Sequence, residues 1–199
     1  MTICVTNRLL CQEDFLLRLS LILQNHPQAV LLREKDLTAS EYEALAAVCQ
    51  KICLRHKVPL IIHGHPSIAR KLRIKMLHLP LSQFLEQHVQ LTDFPQIGVS
   101  VHSVEEAVQA EKLGAGYLIA GHIFPTACKA LLPARGLSFL QNVCQAVHIP
   151  VYAIGGILPA HFDLLQATGA AGCCLMSSLM ICPPDKIPSL CQNTNSQES

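Results

Sequence analysis

Tyr117-Leu118-Ile119-Ala120-Gly121-His122-Ile123-Phe124-Pro125-Thr126-Ala127-Cys128-Lys129 carries more information than any other stretch of this 199-residue chain. Its first four residues make a short apolar run of the kind that forms a buried strand. His122 falls where that strand ends, and Thr126 and Lys129 follow in the loop. In parallel α/β sheets and barrels, active sites are built at the carboxyl ends of the strands. A proton-transfer group beside a hydroxyl and a cation suits a phosphorylated small molecule. The stretch points to an enzyme.

Outward from it, the same pattern repeats in both directions. Short strand-like runs occur at 3–5, 29–32, 60–62, 76–79, 97–99, 117–120, 151–154 and 172–176. Segments with helical period separate most of them, at 15–23, 39–55, 104–113, 137–146 and 160–167. The intervals 67–75 and 82–90 are shorter and less periodic. Ser103-Val104-Glu105-Glu106 has the form of a capping box, and Gly114 that of a left-handed helix stop. Pro59 and Pro150 each precede a strand, where a missing N–H costs little. Strands alternating with helices imply right-handed crossovers and a parallel sheet, and eight strands are enough to close a (β/α)8 barrel. The expectation is one such TIM-barrel domain over 1–191, followed by a polar tail at 192–199. An open doubly wound sheet is the competing architecture.

Composition narrows the function classes. Half of the residues are apolar, 15% are charged, and the formal net charge is +1. This is a chain that folds on a core, with no general pull toward nucleic acid or an anionic membrane. Aromatic stacking residues make up only 5%. The apolar residues of 15–23 are interrupted by Arg18 and fall short of a membrane span. The start of the chain has no secretory pattern, so a cytoplasmic location is expected. Ten cysteines are many for this length. In a reducing compartment they act mainly as small buried hydrophobes. Cys49 and Cys53 share a helix face but have no second Cys or His pair at zinc-finger spacing. Cys173 and Cys174 point to opposite faces of a strand. No metal is expected.

Further candidates lie at other strand ends. Gly155-Gly156 follows the strand at 151–154 and precedes a helix near Pro159, so bare amides there suit a phosphate. Met176-Ser177-Ser178 adds amides and hydroxyls after the last strand, and in barrels the last two such loops often hold phosphate. Arg33-Glu34-Lys35 ends the second strand. Arg33 is a natural partner for a carboxylate or phosphate, with Glu34 to orient it. Ser100 offers a hydroxyl at the end of the fifth strand. His63, His65, His78 and His102 also fall near strand ends. Their acidic company is thin, so structural or solvent-facing roles are expected ahead of metal ligation.

Taken in order, Arg33-Glu34-Lys35-Asp36, Gly98 to Ser103, Gly121 to Lys129, Ala153 to Ile157 and Met176-Ser177 resemble the superfamily of thiamine phosphate synthase and the TenI-like thiazole tautomerases. The resemblance covers nearly the whole chain and implies a (β/α)8 barrel. In the synthase branch, magnesium binds the pyrophosphate leaving group through acidic residues after the third and fourth strands. Here those places read His63-Gly64-His65 and Pro80-Leu81-Ser82-Gln83. The synthase's Gly-Pro-x-Phe motif has become Gly121-His122-Ile123-Phe124, and Leu31 stands where the synthase usually carries Gln.

These departures favour the tautomerase branch, an isomerase that aromatises a carboxythiazole phosphate tautomer. A proton leaves ring carbon C2 and one is added at the exocyclic carbon of the ylidene side chain. The resemblance implies His122 as acid/base, since imidazole accepts and returns a proton near neutral pH. Gly155, Gly156, Met176 and Ser177 would hold the phosphate, while Arg33 and Lys129 face the ring carboxylate. Lys35, Ser100 and Thr126 complete the expected site, with no cofactor. The alternatives are the synthase itself and a non-catalytic sensor of thiazole or thiamine phosphates. The expected partner is the small-molecule thiazole phosphate, and the assembly state is open between monomer and homodimer.

Overall fold

A computed structural model of the protein describes residues 1–126 and 132–191. Eight parallel strands close into a barrel in sequence order: β1 (Thr2–Val5), β2 (Ala29–Leu32), β3 (Leu60–His63), β4 (Met76–Pro80), β5 (Gln96–Val101), β6 (Tyr117–Gly121), β7 (Val151–Ile154) and β8 (Gly172–Leu175). The seam closes between β8 and β1, with Ile3 opposite Cys174. The expected barrel is the observed fold.

Successive strand residues point to opposite faces, which sorts the core into two parts. Residues 3, 5, 29, 31, 61, 117, 119, 152 and 174 point inward and fill the barrel. Their neighbours point outward into the larger layer beneath the helices. Cys173 and Cys174 divide as expected, one in each layer. Tyr117 spans the interior. A Cβ on Gly98 would stand 2.0 Å from the Tyr117 ring, so glycine is required for that ring to lie across β5.

The helices α1 (Phe15–Leu23), α2 (Ala39–Arg55), α3 (Pro66–Lys71), α4 (Leu81–Gln87), α5 (Val104–Lys112), α6 (Gly136–Ala146), α7 (Phe162–Ala167), α8 (Ser177–Ile181) and α9 (Ile187–Cys191) return the chain between strands and cover the outside. Side-chain caps satisfy otherwise unpaired N–H groups: Asp14 accepts from Leu16 and Leu17, and Thr38 and Glu41 form a capping box. Ser103 caps α5 by accepting from Glu106, but the Glu106 carboxylate takes the His102 N–H, one residue earlier than a capping box requires. Cys49 and Cys53 are buried on α2, as core packing requires. The two weakly periodic intervals form helices of one to two turns, α4 being extended by a 3-10 turn at His88–Gln90. Among the described residues, no helix is long and apolar enough to cross a membrane.

Candidate active site

The carboxyl ends of the strands surround a cavity of about 450 Å³. Its floor is the top of the barrel's interior layer, including Val5, Leu31, Ile119 and Cys174. Every expected site residue within the described segments lies on its wall. Arg33 and Lys35 come from the loop after β2, and Ser100 from β5. His122 and Thr126 follow β6, Gly155 and Gly156 follow β7, and Met176 and Ser177 follow β8. Lys129, with Ala127 and Cys128, lies outside the described residues.

Packing between β6 and β7 sets the position of His122. A Cβ on Gly121 would stand 2.4 Å from the Ile154 carbonyl, so these strand ends approach closely only because residue 121 is glycine. Beyond them, the Ile123 N–H donates to the Ile154 carbonyl and the Phe124 N–H to that of Gly155. Gly155 and Gly156 have φ values of +101° and +65°, and any Cβ there would run into His122 and the Phe124-Pro125 backbone. The glycine pair therefore does more than form a turn: it seats the loop that carries the histidine. An α-helix does not follow the pair directly, because Ile157, Leu158 and a 3-10 turn at Pro159–His161 come before α7.

His122 is 5% exposed, and its Nε2 lies 3.3 Å from the Leu132 carbonyl. A carbonyl only accepts, so this contact puts a proton on Nε2 and leaves Nδ1 as the basic nitrogen of the neutral ring. His102 steadies the strand end from the side, its Nδ1 lying 2.6 Å from the Gly121 carbonyl. The Ser178 hydroxyl donates to the Ile157 carbonyl and ties the loops after β7 and β8 together.

Strand alternation locates the remaining histidines. His63, His78 and His102 are part of the cavity wall, where His78 lies within hydrogen-bond distance of Ser100 and His102 of the Gly121 carbonyl. His63 and His78 continue the inward phase of Ile61 and Met76, and that phase is the sequence signal that finds them. The fourth, His65, packs on the Tyr42 ring instead. Glu34 bonds to Thr6 and Arg8, in the loop that follows β1. It lies in the outward phase, where its carboxylate accepts from the Thr6 hydroxyl at 2.6 Å and from the Arg8 N–H at 3.1 Å.

Two histidines of the wall, His63 and His78, are held uncharged near neutral pH. Burial, reinforced by the Arg33 and Lys35 charges, pushes the His63 pKa down to about 4. Burial also holds His78 well below the usual histidine range, with His63 and Arg33 adding to the effect. His78 Nε2 lies 2.8 Å from the Ser100 hydroxyl, and its ring stands 5.9 Å from that of His63. Among the described residues of the wall there is no carboxylate. Nor do three His, Cys, Asp or Glu side chains gather anywhere among the described residues to hold a metal ion. Mg²⁺ wants hard oxygen ligands in octahedral array, and this donor set does not fit it.

Comparison with known proteins agrees with the fold and identifies a family. A family model described as thiamine monophosphate synthase matches residues 2–179. A thiamine-phosphate synthase 2 of Streptococcus pneumoniae is 36% identical over 170 residues, covering 84% of this chain and 81% of the relative. A thiamine-phosphate synthase of Desulfitobacterium hafniense is 33% identical over 180 residues, covering 88% and 87%. The solved structure of thiamine phosphate pyrophosphorylase from Pyrococcus furiosus superposes with a TM-score of 0.82 at 24% identity, covering 95% of this chain and 92% of that one. At 15% identity, 3-hexulose-6-phosphate synthase reaches 0.72, covering 96% of this chain and 98% of that one, and shows the shared barrel alone.

Proposed function

The chain belongs to the thiamine monophosphate synthase (TMP-TENI) family, and on that premise we propose that it acts on a thiazole phosphate as a tautomerase with His122 as its proton carrier. The observation that carries this reading is a buried imidazole on a cavity wall that also presents cations and loop amides, with no carboxylate among its described residues. Aromatisation needs a proton taken from ring carbon C2 and one delivered to the exocyclic carbon. A single imidazole between the two positions can do both. Gly155, Gly156, Met176 and Ser177 would bind the phosphate. Arg33 and Lys35 would face the ring carboxylate, and Ser100 and Thr126 would add hydrogen bonds. Anchoring the phosphate fixes the ring against the base, which is where the rate gain arises.

A second reading has its own support. The curated relatives carry the name thiamine-phosphate synthase, so this chain would join a pyrimidine diphosphate to the thiazole phosphate. The synthase resemblance implies magnesium for that reaction, and the described wall offers the ion no carboxylate.

Two assays on the purified protein separate these readings. In the first, the carboxythiazole phosphate tautomer is incubated without metal and aromatisation is followed by ultraviolet absorbance, with His122→Asn as the comparison. In the second, pyrimidine diphosphate, thiazole phosphate and Mg²⁺ are supplied and pyrophosphate release is measured. Metal-free turnover that His122→Asn abolishes supports the tautomerase. Full turnover in the variant, or pyrophosphate release alone, removes it.

A further inference from the structure

The loops after β1 and β2 are joined by a polar clasp whose centre is buried. Glu34 is 3% exposed and Thr6 fully buried. The Thr6 hydroxyl donates to Glu34 Oε1 at 2.6 Å and accepts the Arg33 N–H at 3.0 Å. The Arg8 N–H reaches both Glu34 oxygens at 3.1 Å, and its Nη1 reaches Oε2 at 3.2 Å. The same guanidinium then forks onto Asp36, at 2.8 and 2.6 Å. Four residues thus fix the direction of the backbone from Arg33 to Asp36. Arg33 and Lys35, the residues on either side of Glu34, are both on the cavity wall.

We propose that Glu34 is a positioning residue that, through its clasp on Thr6 and Arg8, aims Arg33 and Lys35 at an anionic group of the substrate. The proposal rests on the reading of the cavity as a thiazole phosphate site and deepens it. The chemistry favours a carboxylate in this place. Only an acceptor with two oxygens can take the Thr6 hydroxyl, the Arg8 N–H and the guanidinium together. An amide at 34 keeps the shape but exchanges one acceptor oxygen for a donor that faces the Arg8 donors.

The test is a double-mutant cycle on the full chain, read by titration calorimetry with thiazole phosphate and, separately, with inorganic phosphate. Glu34→Gln and Arg33→Ala are each expected to weaken thiazole phosphate binding by about tenfold. Added to Arg33→Ala/Lys35→Ala, Glu34→Gln should weaken binding no more than about twofold further, because Glu34 acts through those two cations. Arg8→Met opens the same clasp from its partly exposed side. It should give a smaller loss in the same direction and provides the test if Glu34→Gln fails to fold. A purely structural role predicts losses that multiply. That result, or unchanged binding in Glu34→Gln, overturns the proposal while leaving the cavity's reading intact. If wild type binds thiazole phosphate no better than inorganic phosphate, or Arg33→Ala binds normally, the cavity's reading fails. Glu34 then has nothing to position, and the proposal falls with it.

Discussion

Replacing Gly155 with alanine tests the link between the β7 loop and His122. Two costs are expected, and they can be separated. The first is backbone strain, since φ at 155 is +101° and an L-residue there costs roughly 1–2 kcal/mol. The second is steric. The new Cβ would stand 2.3 Å from the His122 Cβ, so one of the two must retreat by about 1 Å to reach ordinary van der Waals contact. Overpacking of that kind costs roughly 1–3 kcal/mol. A combined loss of about 3 kcal/mol lowers Tm by about 6–12 °C in a chain of this size. Gly114→Ala is the control: φ is +94°, but nothing lies within 4 Å of the added Cβ. It bears the strain alone and should lose about 2–8 °C. The functional readout is turnover of whichever thiazole reaction the wild type performs, because a displacement of about 1 Å at a reacting group costs on the order of a hundredfold. Thermal unfolding and initial rates on both variants settle the matter. Equal Tm losses with normal turnover in Gly155→Ala would refute the claim that this glycine seats the histidine.

Stability should fall in acid because of His63. Its pKa is lowered from 6.5 to about 4 in the fold, so between those values the unfolded chain binds the extra proton and unfolding is favoured as pH drops. The contribution is intact above about pH 6.5 and lost by about pH 4, up to roughly 3 kcal/mol. Urea unfolding across that window should show a shallower pH slope in His63→Gln, and an identical slope would remove His63 as the cause. Tyr42→Phe should cost about 1–3 kcal/mol. The buried hydroxyl donates to the Leu32 carbonyl at 2.6 Å and accepts from the His63 N–H at 3.2 Å, bridging β2 and β3. Denaturant midpoints check it, and a loss under a few tenths of a kcal/mol would mean that relaxation or water replaces both bonds.

The barrel was legible because its strands are short apolar runs bounded by polar or proline residues, a pattern that burial on both faces produces. Their ends were less so. β5 extends to Gln96, paired with Met76 of β4, and to Val101, paired with Ala120 of β6, and side-chain polarity carries no record of those pairings. The site residues were legible for the same reason as the fold: each sits just past a recognisable strand, and closure of the barrel brings all strand ends together. What reading residue by residue missed was phase. His63 lies two residues beyond Ile61 and His78 two beyond Met76, so both turn inward, and Glu34, in register with outward Leu32, turns away from the cavity. The depth of the Gly155–His122 contact was out of reach, because it depends on how closely β6 and β7 approach in space.

Charge decides what such a cavity can hold. A diphosphate carries more negative charge than a monophosphate, and a metal ion bound by protein carboxylates is a common way to neutralise the excess. This wall has taken a different course. Among its described residues, two histidines stand in the β3 and β4 strands, and burial keeps both uncharged near neutral pH. Uncharged imidazoles offer nitrogen edges for hydrogen bonding, and none of the ionic attraction that a hard divalent cation requires. Positive charge enters instead from Arg33 and Lys35, and it also helps to lower the His63 pKa. The two features are therefore one electrostatic design. Cations on the β2 side favour an anion and oppose protonation of His63 across the cavity. On the proposed tautomerase reading, Arg33 and Lys35 would be the groups that meet the substrate's anionic ends.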